Sequence, residues 1–242
     1  MTNKDIGILG SAVRLLQAEG GFHTGLDAVM LAAACPAKSG AHILDLGCGV
    51  GGAGLAALYR LPEVDLTGVD IQSDHIELAE KNAELNEMNA RALFICADIR
   101  DFEQQDFTDV ICNPPYMEAG AHSPSPSEKR AKALGHDSTD INIEDWINCA
   151  FDCLKGQGSL TMIHRADMVQ KIILAIGKRF GALQIIPLWP RAGEPAKRVI
   201  IRCWKHKKSP AEIHAGVVLH QDDGSYTQEA ENILRQSAAA IK

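Results

Sequence analysis

The stretch Ala41-His-Ile-Leu-Asp45-Leu-Gly47-Cys48-Gly49-Val-Gly51-Gly-Ala-Gly54-Leu55 decides how this chain is read. An apolar segment runs into a cluster of glycines, and a helical pattern then continues to Arg60. That is the order strand, tight turn, helix. Glycines at such a turn let the backbone come close to a ligand, with the unpaired N–H groups of the helix N-terminus behind it. A glycine run alone is a weak signal, and its flanks are what give it weight. Val64 to Val69 reads as the next strand and ends in Asp70, 25 residues after Asp45. An acidic residue at the tip of a second strand is placed to accept both hydroxyls of a ribose. Capping of the helix that opens near Ser73 is the plainer alternative.

Downstream the alternation continues. A helix over 73–87 leads to a strand from Ala92 to Cys96 that ends in Ala97-Asp98-Ile99. Asp98 can accept from an adenine amino group while Ile99 packs on the ring, or it can simply cap a turn. A fourth strand, Thr108 to Cys112, delivers Asn113-Pro114-Pro115-Tyr116. The asparagine offers both an acceptor and a donor. Each proline fixes its own φ and forces the residue before it into an extended conformation. Tyr116 adds a flat face for stacking. Such a turn suits a planar amide or an exocyclic amine, although a proline-rich turn closed by an Asx bond has the same composition. Strand–helix alternation of this kind predicts an α/β fold with a mostly parallel sheet. All four strands then carry a polar residue at their carboxyl ends, the edge where open α/β sheets bind ligands.

Outside that block the pattern is thinner. Residues 6–16 read as a short strand or hairpin. Gly20-Gly-Phe-His-Thr24-Gly-Leu-Asp27 leads into a helix from Ala28 to Cys35, closed by Pro36. Thr24 and Asp27 fit a helix start and equally a loop lining a ligand site. Residues 117–140 read as a loop with a short helix around 127–134. Then follow a helix over 143–154, a strand from Ser159 to Ile163 and a helix over 166–180. Leu183 to Leu188 and Lys197 to Trp204 are expected to form an antiparallel hairpin at the sheet edge, before a strand from Glu212 to Leu219 and a helix over 227–238. Without an internal repeat or a linker, residues 1–242 are read as one domain: an N-terminal elaboration (1–40), a core (41–204) and a C-terminal strand and helix (205–242).

Composition is that of an ordinary α/β protein, without a long apolar run or a signal peptide, so a cytoplasmic location and no membrane contact are expected. Seven cysteines lie mostly in apolar segments without metal-ligand spacing, and Cys149 and Cys153 can share a helix face. Reduced thiols and no metal are the expectation. A net charge of −7 argues against a surface coated with nucleic acid but leaves room for a local patch. One such run holds Arg191, Lys197, Arg198, Arg202, Lys205, Lys207 and Lys208 against a single acid, Glu194.

The glycine turn, Asp70, Asp98 and Asn113-Pro-Pro-Tyr116 together resemble the motifs of class I S-adenosylmethionine-dependent methyltransferases, which are seven-stranded and Rossmann-like. The Asn-Pro-Pro-Tyr form resembles the branch that methylates amino groups: adenine N6, glutamine amide nitrogen or guanine N2. Gly21-Phe-His-Thr-Gly-Leu-Asp27-Ala-Val-Met-Leu and Leu219-His-Gln-Asp-Asp-Gly-Ser-Tyr226-Thr-Gln-Glu229 are similar to the bacterial tRNA1(Val) adenine-N6-methyltransferase family. That resemblance implies S-adenosylmethionine held by Thr24, Asp45, Gly47, Cys48, Gly49, Asp70, Ile71, Asp98, Ile99 and Asn113. It implies chemistry at Asn113, Pro114, Pro115 and Tyr116, and a tRNA contacted through Arg191, Lys197 and Arg198. Glutamine methylation of a release factor is the main alternative; enzymes of that kind generally carry a helical domain of some 70 residues before the glycine motif, where about 40 residues stand here. Ribosomal RNA methylation and a catalytically silent RNA-binding module are the others.

Overall fold

The computed structural model describes residues 3–18, 25–116, 141–236 and 240–241. It opens on an antiparallel hairpin, β1 (Asn3–Ile8) and β2 (Val13–Ala18), where a strand or hairpin was expected. Helix α1 (Leu26–Ala34) follows, and every residue from Ala28 to Ala34 is buried. A helix apolar on all sides belongs inside a core. Its N-cap is Gly25, without a side-chain cap; Asp27 lies in the first turn, and Thr24 lies outside the described residues.

The remaining elements are β3 (His42–Leu46), α2 (Gly52–Arg60), β4 (Asp65–Asp70), α3 (Ser73–Leu85), β5 (Ala92–Cys96), β6 (Phe107–Cys112), α4 (Ile143–Cys153), β7 (Leu154–Arg165), α5 (Val169–Ile176), β8 (Phe180–Trp189), β9 (Arg198–Lys205), β10 (Glu212–Ile213), β11 (Val217–Val218) and α6 (Gln228–Arg235). One sheet runs β10-β8-β9-β7-β6-β3-β4-β5, with β11 also paired to β8. Strands β3 to β7 are mutually parallel, and β9 runs antiparallel to both of its neighbours. The fold is therefore Rossmann-like, and the expected hairpin sits where the sequence put it.

Three expectations are revised. The sheet has nine strands rather than seven, because β10 and β11 add two residues each to the flank of β8. The single strand expected over 212–219 breaks between them, where the Trp189 indole N–H donates to the Ala215 carbonyl at 2.9 Å. The helix expected over 166–180 is a 3-10 turn, Ala166–Met168, followed by α5, and Phe180 already belongs to β8. The short helix expected around 127–134 lies outside the described residues.

Sequence neighbours fall to opposite faces of the sheet. Ile43, Ile111, Ile163 and Ile200 pack in one core with α1, α2 and α6, while Leu44, Val110, Met162 and Val199 pack in the other with Trp146, Ile147 and Ile172. That is the period of two a strand imposes, and burying both faces is what a parallel sheet requires. Cys149 and Cys153 lie 3.9 Å apart between their sulfurs on α4, inside the second core. Among the described residues no helix is long and apolar enough to cross a membrane.

The N-terminal hairpin is held by a buried amide. Asn82 on α3 accepts from Leu16 N at 2.7 Å and donates to Leu16 O at 3.0 Å and Val50 O at 2.9 Å. One side chain thus ties β2, the glycine turn and α3 together. Replacing Asn82 with alanine leaves three buried backbone groups to find other partners, and is expected to cost about 2–4 kcal/mol in urea unfolding. A loss under about 0.5 kcal/mol, the range of surface substitutions, would contradict this.

Candidate active site

Because β3 to β7 are parallel, their carboxyl ends share one edge, and the antiparallel β9 brings its first residue there as well: Arg198 pairs with Arg165 at the end of β7. The glycine turn after β3 is strapped to β4. Gly47 and Cys48 both donate from the backbone to Val69 O, at 2.8 and 2.9 Å. Gly49 N donates to Asp70 Oδ2 and Gln72 N to Asp70 Oδ1, each at 2.9 Å. Gly47 has φ +69°, and a Cβ there would lie 2.5 Å from the Trp146 ring. Gly49, at φ +53°, faces open space with no atom within 4 Å of such a Cβ. The turn therefore closes tightly against the protein on one side and stays bare on the other.

Asp45, at the strand end, is buried and accepts from Gly54 N at 2.9 Å, fixing the start of α2. Burial pushes its carboxyl up to about 7, opposed by the Gly54 bond and helped by the charge of Asp70. A cation placed beside it reverses that balance. The Cys48 thiol is buried and held well above its ordinary range, so it is a packing group rather than a nucleophile. Ile71 is half-buried next to Asp70, and Ile99 is buried next to Asp98. The Asp98 carboxylate is gripped by Arg100, with the closest contact 2.6 Å from Nη2 to Oδ2. His75 on α3 reaches toward Asp70 from behind, 3.4 Å from Nδ1 to Oδ1. Burial alone lowers the pKa of that imidazole, but Asp70 and Asp74 outweigh it and raise the balance.

At the tip of β6, Asn113 Oδ1 is buried and has no hydrogen-bond partner among the described residues. An unsatisfied buried acceptor costs about 1–3 kcal/mol, so a position like this is built for a donor that arrives from outside. Pro114 is buried and Pro115 exposed. Tyr116 turns back toward α1: its hydroxyl donates to Asp27 Oδ2 at 2.6 Å. Arg198 Nε donates to the same oxygen at 3.0 Å, and its guanidinium lies 4.6 Å from the Tyr116 ring centroid. Burial and the Asp27 carboxylate push the phenol well above its ordinary range, so it stays protonated.

His164 was missed from sequence. It is buried at the end of β7, its ring 5.0 Å from that of Tyr116 at 57°. Its Nδ1 accepts from Arg165 N at 2.8 Å, which places the ring proton on Nε2. Burial, then the Arg165 guanidinium, lower it to about 4, so it is neutral at physiological pH. The signal that finds it is the one already used on the other strands: a polar residue at a carboxyl end.

The basic run does not form one patch. Strand β9 is eight residues long and therefore spans roughly 25 Å. Lys197 and Arg198 stand at the carboxyl-end edge, whereas Lys205, Lys207 and Lys208 stand at the opposite one. Arg202 is buried between them, donating to Gln184 at 2.7 Å and to the Ala34 carbonyl at 2.9 Å. The Lys205 amine donates to the Phe151 and Leu154 carbonyls, both at 2.6 Å. Arg191 lies 3.4 Å from Glu194 in the β8–β9 connection, and Lys197 is exposed.

A family model described as the methyltransferase small domain matches residues 15–129, from β2 through the glycine turn and past Tyr116. Over that span the chain is similar to methyltransferases. A Vibrio parahaemolyticus protein named tRNA1(Val) (adenine(37)-N6)-methyltransferase is 27% identical over 208 residues, covering 85% of this chain and 84% of that protein. A Shewanella baltica protein of the same name is 27% identical over 224 residues, covering 89% and 91%. A crystal structure from Agrobacterium tumefaciens, described as a predicted O-methyltransferase, superposes with a TM-score of 0.73 at 28% identity, covering 89% and 98%.

Proposed function

We propose that this chain is an S-adenosylmethionine-dependent methyltransferase that modifies the N6 amine of an adenosine next to the anticodon of a tRNA; the names of its relatives give adenine 37 N6 of tRNA1(Val) for those proteins. The observation that carries the amine is the buried Oδ1 of Asn113 at the end of β6, which has no partner among the described residues. The groups around it fit S-adenosylmethionine: a bare glycine turn, a carboxylate at the tip of β4 for the ribose, and Asp98 with Ile99 for the adenine. Asp45, Gly47, Cys48, Gly49 and Ile71 complete that pocket in this reading; Thr24, also assigned to it, lies outside the described residues. When bound, the cofactor supplies an electrophilic methyl group on sulfur.

The residues around Asn113 do the orienting. The target base leaves its stack to reach them, because its amine is inaccessible inside a helix. Tyr116 stacks on it. Asn113 Oδ1 and the Pro114 carbonyl accept the two N6 hydrogens, which draws the amine toward tetrahedral geometry and frees its lone pair. No strong base is needed beforehand, since the amine turns acidic only once it is methylated. Positioning of this kind is worth about 7–11 kcal/mol in well-held systems. Lys197 and Arg191 are assigned to tRNA phosphates. The reading takes residues 1–242 as one domain and the cytoplasm as its place of work.

The substrate is settled by incubating the protein with labelled cofactor and separated tRNA, ribosomal RNA and protein fractions from cells lacking it. Label is expected in tRNA, as N6-methyladenosine after nuclease digestion. Label in protein glutamine overturns the assignment in favour of the release-factor alternative.

A further inference from the structure

The Tyr116 ring has its position set by two residues from distant parts of the chain. Asp27, 89 residues earlier, accepts the phenol proton at 2.6 Å. Arg198 donates to the same carboxylate oxygen at 3.0 Å and lays its guanidinium over the ring, 4.6 Å from the centroid. We propose that Asp27 and Arg198 form a bracket that fixes the plane of Tyr116 for the incoming nucleobase, with Asp27 as a positioning residue of the reaction and Arg198 serving the stack rather than the tRNA backbone. The proposal rests on the reading that Tyr116 stacks on the target base.

Three observations carry it. First, Asp27 sits in the first turn of a helix that is buried from Ala28 onward, so the carboxylate is held on a rigid element. Second, a single carboxylate oxygen takes both donors, so the hydroxyl and the guanidinium cannot move independently. Third, the pairing answers an electrostatic problem. The amine becomes cationic during methyl transfer, and an uncompensated guanidinium against the stacking ring would oppose that charge. Asp27 removes the opposition while the planar guanidinium still covers one face of the ring. The His164 ring packs against the same tyrosine at 5.0 Å, tilted by 57°. The expectation that Arg198 belongs to a solvent-facing phosphate patch is thereby replaced: its side chain is two-thirds covered and turned inward.

The test compares Tyr116→Phe, Asp27→Asn, their combination, and Tyr116→Ala, each on the full chain with unmodified tRNA. Turnover and KM for tRNA are measured, and cofactor affinity is followed separately by calorimetry. Tyr116→Phe and Asp27→Asn are each expected to lower kcat by about tenfold to a hundredfold, the scale of a small misplacement at a reacting centre, with cofactor affinity unchanged. Because both act through one bond, the double variant is expected to fall no further than Asp27→Asn alone. Single variants within twofold of wild type, or losses that multiply in the double variant, overturn the bracket. Tyr116→Ala separates the two readings. If it is inactive while Phe and Asn variants keep full rate, stacking stands and the bracket falls; if it is fully active, both fall.

Discussion

Replacing Asn113 with alanine is expected to abolish methyl transfer to tRNA while leaving cofactor affinity within a few-fold of wild type. The residue follows β6 directly, and its Oδ1 is buried without a partner among the described residues. A preorganised polar group aimed at the reacting atoms costs about 10²–10³ in rate when removed, and more where a second acceptor depends on its geometry. Asn113 follows Cys112, which pairs with Leu46 just before the glycine turn, but the bonds of that turn run to Val69 and Asp70. The turn therefore keeps its shape without the Asn113 side chain, even where that side chain also borders the proposed cofactor. Single-turnover assays with labelled cofactor, alongside calorimetry of S-adenosylhomocysteine binding, separate the two effects. Full turnover in the Asn113→Ala protein refutes the orienting mechanism.

The second large effect is expected at Asp70. Its two carboxylate oxygens hold Gly49 N and Gln72 N at 2.9 Å each, so the side chain shapes the turn in addition to its proposed contact with the ribose. Hydrogen bonds to a charged group are worth about 1.5–3 kcal/mol apiece. Asp70→Ala is expected to weaken cofactor binding by about a hundredfold or more, since each 1.4 kcal/mol is a factor of ten. Unlike Asn113→Ala, it should raise the cofactor concentration needed for half-maximal rate and leave tRNA binding close to wild type. A loss under threefold in cofactor affinity shows that the glycine turn holds itself and that Asp70 has no ribose to bind.

The parts of this site that could be read from sequence are those where chemistry is local. Asp70, Asp98 and Asn113 each end an apolar run, and a strand that stops on a polar residue announces its own tip. Gly47 to Gly51 did the same for the turn. Long-range pairings carry no such mark. Nothing in the spacing of Asp27, Tyr116 and Arg198 says that one carboxylate serves the other two, because their meeting depends on α1 crossing under the sheet and on β9 running antiparallel. His164 escaped for a smaller reason: the strand was read as ending at Ile163, one residue short of its polar tip, whereas it continues to Arg165. The basic run misled in the opposite direction. A cluster of charges in sequence is a cluster in space only when the chain turns back on itself, and here an eight-residue strand draws it out across the sheet. Arg202 and Lys205, buried or tied to backbone carbonyls, belong to the framework of the protein.

Helix α1 lies on the far side of the glycine turn from Tyr116 in the chain, and its first turn holds that ring by the hydroxyl. The segment before residue 41 is accordingly a structural member of the catalytic edge. Its stiffness is inherited from the buried core residues Val29 to Ala34. A cavity opened there, at Met30 or Leu31, is transmitted along a single helix to the aromatic ring proposed to receive the base. Wear in the foundation would be noticed first as a fall in turnover, at temperatures where the molecule is still fully folded.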